Sequence, residues 1–347
     1  MLLNKLFGVS LLSKGIFFSL ATLCLSHAGN VLAQSAEAVQ NYPSRAVKII
    51  VPFAPGGATD IVARYLASKM AESTGQAFIV ENRTGASGNI ALEAAIKAAP
   101  DGYTLFVGNV TTNAINESGN GNIKPSRDLV GITELAEIPH VLAASTDFPA
   151  NTVAETIDYL KKNPGKVNYC SAGIGSYPHL DMLKFARTTN TNIMHIPYKN
   201  GAAGMVPSLM ANETQLAFIN LASTNEQIKA GKIKAIATTA PVRLAEMPNV
   251  PTMAELGYQG IGTNAWQGIF VPAATPKPII DKLYGLIVKV MSTPETKERM
   301  SKGMMTVVLS KSPQAWTDQV KLETAIKLNW WPSLVKRELP SSQIRQQ

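Results

Sequence analysis

The chain is poor in the residue types on which covalent and metal chemistry depend: 347 residues hold only two cysteines and four histidines. Cys24 and His27 both fall in the first thirty positions, so the rest of the chain carries Cys170 alone and three histidines. One cysteine makes no internal disulfide, and a chain this long buries enough core without one. Three scattered histidines make no metal centre, and none is expected. Several signatures are also missing: there is no G-x-x-x-x-G-K-[ST], no G-x-G-x-x-G and no G-x-S-x-G, which removes the usual nucleotide-binding and hydrolase motifs and with them any expected cofactor. Beyond residue 33 no run of eighteen apolar residues occurs, so no membrane span is expected there. The formal net charge is +8, but lysines and arginines are dispersed, and only short pairs such as Lys161-Lys162 and Lys336-Arg337 occur. Without an aromatic-basic module, that excess reads as a solvated surface or a mild field for anions, and no nucleic-acid partner is expected.

What is present begins with a secretory pattern. Lys5 and Lys14 precede an uncharged apolar run from Gly15 to Leu25, and Val31-Leu32-Ala33 supplies a small-residue exit before Gln34. Residues 1–33 are read as a cleaved signal peptide leading to the periplasm. Leu23 stands where a lipoprotein signal has a small residue, so lipid attachment at Cys24 is not expected. Cleavage removes two lysines and leaves a charge of +6.

The mature length is large for one core and suggests two lobes. Apolar runs at 47–51, 78–80 and 103–107 read as strands, and 61–70 and 90–98 as helices: α/β winding on a parallel sheet. A second series of strands at 140–143, 167–170, 193–196, 216–219 and 233–238 alternates with helices at 152–162, 179–188, 203–211 and 224–230. Strand pattern returns at 266–271, followed by helices at 277–291, 294–301 and 313–330. The expected organisation is therefore lobe one from 34–138 plus 265–347, lobe two from 139–264, and a hinge of two crossings. Asn116 to Asn122 reads as a polar surface excursion.

Small-residue loops recur between a strand and the helix after it. After Phe53 comes Ala54-Pro55-Gly56-Gly57-Ala58-Thr59-Asp60; next are the loop around Ser87 and the Asn109-Val110-Thr111-Thr112-Asn113 loop. Lobe two contributes Ser171-Ala172-Gly173-Ile174-Gly175-Ser176 and Lys199-Asn200-Gly201-Ala202-Ala203. In a doubly wound fold such loops gather at the carboxyl edge of the sheet. Helix N-termini there offer free N–H groups and partial positive charge, and glycine lets an anion approach the backbone. A carboxylate held by neutral donors is the expected guest. Asp60 would repel it and is assigned a supporting role for its loop. Any one loop is explained equally by turn and cap chemistry; five together point to a site. His179, at a helix opening, and His195, in a strand, read first as packing or loop support. A secreted esterase using Ser176 or Ser171 with His179 is the rival from another class. Trp266, at the second crossing, either walls the cleft or packs the hinge.

Val51 to Asp60, Val80 to Asn89, Pro100-Asp101-Gly102-Tyr103-Thr104-Leu105, Ser171 to Leu180, His195-Ile196-Pro197-Tyr198-Lys199, Val250-Pro251-Thr252 and Phe270 to Pro276 together resemble the Bug, or TctC-like, extracytoplasmic solute receptors of tripartite tricarboxylate transporters. The resemblance implies a type II periplasmic binding-protein fold of two doubly wound α/β lobes, no catalysis, and a monomer that delivers a small carboxylate to membrane permease subunits. It also implies that Pro55-Gly56-Gly57 holds a ligand carboxylate with help from water, and that Thr111-Thr112 and Ser171 to Ser176 contribute contacts. Phe53, Ala58, Thr59, Ser87, Asn109, His179, Tyr198, Asn220 and Trp266 complete the expected ligand-facing set. Many members carry an acid just after the strand corresponding to Ala217-Phe218, whereas this chain has Ile219-Asn220. Asn220 thus weakens an amino-acid ligand and favours dicarboxylates, tricarboxylates or aromatic acids. A receptor feeding a signalling partner is the remaining alternative.

Overall fold

A computed structural model describes residues 39–119, 123–263 and 265–328, so the expected signal peptide and the C-terminal residues from 329 on lie outside the described residues. The chain divides into two compact units, Met1–Arg45 and Ala46–Gln347. In the first, described from residue 39, the Tyr42 N–H donates to the Val39 carbonyl at 3.2 Å. The second contains both sheets.

Strands form where apolar runs are bounded by loop residues. β1 (Val47–Val51) leads to α1 (Ala58–Thr74), β2 (Phe78–Asn82), α2 (Asn89–Ile96) and β3 (Thr104–Asn109). β1 is parallel to both neighbours, with Ile49 opposite Val80 on one side and Leu105 on the other. That pairing brings the loops after β1 and β3 to one edge. α1 ends where Gly75 takes the left-handed conformation, φ 71°, and its N–H closes on the Ala71 carbonyl.

After β3 the backbone makes a wide π-type turn at Thr111–Ile115 and enters a ten-residue strand, β4 (Leu129–Ile138), that hydropathy did not reveal. Asn116, expected on the surface, is buried, and its amide donates to the Ser87 carbonyl and to Asn89 Oδ1. The second sheet then follows: β5 (His140–Ala144), α3 (Val153–Lys162), β6 (Asn168–Ser171), α4 (Tyr177–Thr189), β7 (Met194–Pro197), α5 (Ala202–Met210), β8 (Leu216–Asn220), α6 (Leu221–Lys229) and β9 (Lys234–Thr238). β10 (Ala265–Pro272) returns to the first sheet, followed by α7 (Lys277–Met291), α8 (Pro294–Lys302), β11 (Thr306–Val307) and α9 (Pro313–Lys327).

The sheets run β11-β4-β10-β3-β1-β2 and β7-β6-β8-β5-β9. Neither is wholly parallel, which corrects the simpler winding expected: β10 is antiparallel to β3 and β4, and β5 to β8 and β9. The cause is topological, because β4 leaves the first sheet and β10 comes back beside it in the opposite sense. Helix α9 closes this sheet from outside. Its Trp316 is fully buried, and a Cβ placed on Gly131 of β4 or Gly268 of β10 would sit 2.3 or 2.4 Å from the indole. Glycines on two neighbouring strands therefore leave room for the indole against the sheet.

Away from the inter-sheet edge, helices are capped in the ordinary way. Thr152 and Glu155 form a reciprocal capping box on α3, and the side chains of Thr293 and Ser312 cap α8 and α9.

Candidate ligand-binding site

A cavity with about 430 Å³ of empty space lies between the sheets, lined by Phe53, Gly57, Ala58, Thr59, Asn109, Thr111, Ala172, Tyr177, Pro178, Gly201, Ala202, Met205, Ile219 and Asn220. The part of it that a water molecule can enter is only about 30 Å³, room for about one water, so the cleft is nearly closed. None of these residues is charged. Two helices begin at its wall with glycine in the capping position and no side-chain cap: α1 at Gly57 and α5 at Gly201. They belong to different sheets and meet closely, since a Cβ on Gly57 would lie 4.0 Å from that of Ala202. Gly201 is in turn packed on the Phe53 ring, 3.5 Å from its own notional Cβ. Free N–H groups and the positive ends of two helix dipoles thus converge on one neutral space.

The loop after β1 is braced from behind. Asp60, 3% exposed, accepts hydrogen bonds from the Gly56 N–H (3.0 Å), Arg64 Nε (2.9 Å) and Asn82 Nδ2 (2.8 Å), while Asn82 Nδ2 also donates to the Phe53 carbonyl. Burial by itself would raise this carboxyl's pKa; the bonds from Arg64, Asn82 and Gly56 outweigh it and hold the value below the usual carboxylate range. The charge is therefore spent on the loop and is not offered to the cavity. Pro55 and Gly56 sit on the exposed side of the same loop and do not line the cavity.

Thr59 donates to Gln267 Oε1 at 2.7 Å, and Asn109 Oδ1 ties down the wide turn by accepting from the N–H groups of Thr111 and Thr112. Thr112 is consumed inside that turn, its hydroxyl bonded to Asn113 Oδ1. Contacts then cross between the sheets. The Tyr177 N–H at the start of α4 donates to Thr111 Oγ1 (3.2 Å), and Ser87 Oγ donates to the Ile174 carbonyl (3.0 Å).

Several residues of the expected set are near the cavity in sequence but turn into their own loops. Ser176 Oγ donates to the Gly173 carbonyl, the Gly175 N–H donates to His179 Nδ1, and the Tyr198 hydroxyl reaches Ser208. Ser171 pairs with His195 Nε2 at 2.6 Å, not with His179, and both serines are fully buried. His195 stacks with Tyr169 and with His179, at centroid distances of 4.8 and 4.2 Å, in a three-ring cluster. Burial pushes the His195 pKa down to about 4 and that of His179 well below its ordinary value, with the His195 charge adding to the effect on His179. Trp266 packs edge-on against Trp316 at 4.9 Å and donates its indole N–H to Glu323 (2.5 Å), so it belongs to the core under α9 and not to the cavity wall.

Tyr177, Pro178, Met205 and Ile219 were not anticipated as wall residues. Tyr177 and Pro178 follow the Ser171 to Ser176 loop directly, and a ring placed at a helix start on a sheet's carboxyl edge was the available signal. Met205 and Ile219 gave none, since apolar residues in a wall and in a core look alike in sequence.

Contact between the Ser87 and Ser171–Ser176 loops depends on Gly173, at φ 116°, whose notional Cβ would lie 2.6 Å from Ser87 Oγ. Gly173→Ala is expected to lower stability by about 1–3 kcal/mol, from backbone strain plus the collision. Adding Ser87→Ala, read against Ser87→Ala alone, should recover only the collision part, because Ser87 Cβ lies at an ordinary 3.7 Å. Denaturant unfolding of the single and double variants checks this, and no recovery at all would remove the loop-to-loop contact as a cause.

The family model for "Tripartite tricarboxylate transporter family receptor" matches residues 62–328. The chain is 39% identical over 254 residues to a UPF0065 protein of Bordetella pertussis (strain Tohama I), covering 73% of this chain and 78% of that one. Among solved structures it is similar to the periplasmic binding protein BugD, with 33% identity, TM-score 0.79 and coverage of 84% and 98% of the two chains. It is also similar to R. palustris Rpa4515 with adipate (29%, TM-score 0.80, 84% and 98%) and to MatC from Rhodopseudomonas palustris with bound malate (28%, TM-score 0.78, 83% and 99%). The family model spans most of the chain: the chain belongs to the tripartite tricarboxylate transporter receptor family, the Bug or TctC-like solute-binding proteins.

Proposed function

We propose that the protein is a periplasmic receptor that captures a small organic carboxylate, a dicarboxylate, a tricarboxylate or an aromatic acid, and hands it to the permease subunits of a tripartite tricarboxylate-type transporter. The observation that carries this reading is the meeting of two uncapped helix N-termini, at Gly57 and Gly201, in a cavity whose lining has hydroxyl and amide groups but no charge. An anion is stabilised there by backbone N–H groups without a competing carboxylate. The adipate and malate in two similar proteins support the same class of guest.

In this reading residues 34–138 with 265–347 form one lobe and 139–264 the other, residues 1–33 direct export, and the receptor acts as a monomer. The ligand-facing residues are those at the cavity wall, with Asp60 supporting the loop behind them. Binding without turnover is favoured over a serine esterase because the Ser171 and Ser176 hydroxyls are fully buried, Ser176 bonded within its own loop and Ser171 to His195, and neither residue lines the cavity.

The test is a thermal-shift screen of residues 34–347 against malate, adipate, citrate, benzoate, glutamate and glucose. A ligand that binds only the folded chain raises its melting temperature, by roughly 2.7 kcal/mol of added stability at a hundredfold excess over Kd. Shifts confined to one group of carboxylates are expected. A shift with glucose or glutamate alone would sink the reading.

A further inference from the structure

The two crossings between the sheets, β4 into β5 and residue 263 into β10, are pinned by one side chain. Asp181 lies on α4, fully buried. One carboxylate oxygen accepts the Thr263 hydroxyl at 2.8 Å; the other accepts the Thr263 N–H at 2.9 Å and faces His140 Nδ1 at 3.3 Å. Thr263 belongs to the returning crossing and His140 opens the strand after the outgoing one. A carboxylate only accepts, so the His140 proton sits on Nδ1, which leaves Nε2 buried without a partner. Burial keeps this imidazole neutral, its pKa lowered despite the attraction of Asp181.

One turn before Asp181 on the same helix, Tyr177 and Pro178 form part of the cavity wall. Tyr177 also stacks on His140 at 4.3 Å and gives its backbone N–H to Thr111 across the cavity. Residues four apart lie on the same face of a helix. The first turn of α4 therefore touches the ligand space while its second turn holds both hinge segments.

We propose that Asp181 is a positioning residue for ligand capture: through its bonds to Thr263 and His140 it fixes α4 to the hinge, so that Tyr177 and Pro178 enter the cavity wall in one orientation and the lobes hold one relative setting. Without the tie, α4 and the crossings lose their common reference and the lobes sample a spread of angles. The tie involves no ligand group and holds whichever ligand the cavity takes.

The test measures the distance between the lobes directly. Spin labels are placed at Lys97→Cys on the first lobe and Lys161→Cys on the second, both exposed positions. Cys170 does not interfere, because it is buried and its thiol is pushed up to about 12. Double electron–electron resonance is recorded on the mature chain without ligand. Asp181→Ala is expected to at least double the width of the distance distribution. Asp181→Asn, which can still accept the Thr263 N–H and donate to its hydroxyl, should stay near the parent width. Thr263→Val, which removes one bond and leaves Asp181 in place, should fall between them. An Asp181→Ala chain that melts at lower temperature but keeps the parent width would make the residue merely structural and overturn the proposal, as would an Asp181→Asn distribution as broad as that of the alanine variant. If Asp181→Ala does not fold, Thr263→Val decides: broadening supports the tie, and an unchanged distribution refutes it.

Discussion

Gly57→Val is expected to weaken binding of whichever carboxylate the screen identifies by a hundredfold or more, while moving stability by no more than about 1 kcal/mol. The backbone explains the second half of that statement. Gly57 sits at φ −79° and ψ 163°, an extended conformation that any residue adopts, and its notional Cβ has only ordinary contacts, 3.7 Å to the Ala54 carbonyl and 4.0 Å to Ala202 Cβ. Valine is therefore tolerated by the fold. Its two γ-methyls, however, must go into the narrow space between the starts of α1 and α5, where the guest's charged end would approach the backbone. Losing two or more charge-assisted hydrogen bonds at about 1.5–3 kcal/mol each accounts for the loss. Calorimetric titration of both proteins checks the affinity, and denaturant unfolding checks the fold. Unchanged affinity would place the carboxylate elsewhere in the cavity.

The choice of position matters because neighbouring glycines answer differently. Gly56 has φ 86°, so a side chain there would strain the backbone, and its N–H is already committed to Asp60. A loss of binding at Gly56 would not separate a damaged loop from a blocked site. At Gly57 those effects are separable.

How far the sequence reveals this molecule depends on what each residue's signal encodes. β1, β3, β8 and β10 were legible because buried apolar runs ended at small-residue loops, and α1 and α7 because their apolar period is long. β4 was not, since its ten residues include Glu134 and Glu137 and its pattern lacks alternation, being buried nearly throughout. Strand direction left no trace either: a strand buried on both faces reads the same whether its neighbour runs with it or against it. For the site, the loops at Gly57, Asn109 and Gly201 were identifiable by their position after strands, while the aim of each side chain within a loop was not. Ser171, Ser176, His179 and Tyr198 have the polar chemistry of a site, yet each is bonded to a near neighbour, an outcome set by rotamers and backbone turns that composition does not specify. Trp266 shows the converse. It stands at the returning crossing, but the pair of glycines that seats Trp316 beside it, Gly131 and Gly268, became meaningful only once β4 and β10 were neighbours.

The same unanticipated strand supplies the second large effect. Glu134 of β4 is 2% exposed, and its Oε1 has no hydrogen-bond partner. Burial, with the nearby charge of Glu137 adding to it and that of Glu323 contributing less, raises its pKa from 4.5 to about 8, against a smaller opposing effect of a bond from Gln319. In the folded chain this carboxyl therefore holds its proton at neutral pH, whereas in the unfolded chain it has released it. The folded state then binds more protons, so stability declines as pH rises. The decline starts near the unfolded value of 4.5 and is complete above the folded value of about 8. Glu134→Gln keeps the shape and stays neutral throughout. At pH 5, where the native carboxyl is already mostly protonated when folded, the two proteins should differ by less than about 1 kcal/mol. At pH 8.5 the variant should be more stable by roughly 3 kcal/mol, since each tenfold change in proton affinity is worth about 1.4 kcal/mol and an imperfect fit of the amide subtracts from the total. Urea unfolding from pH 5 to 9 reads this as a gap that widens with pH. Parallel profiles would mean that the buried carboxyl is solvated or paired in solution, and that β4 carries no titrating strain. The physical origin of the effect is packing against the face of the sheet: Glu134 lies near Gln319 and Glu323 of α9, and burial there denies its carboxylate water, whereas Glu137 on the same strand stays partly exposed.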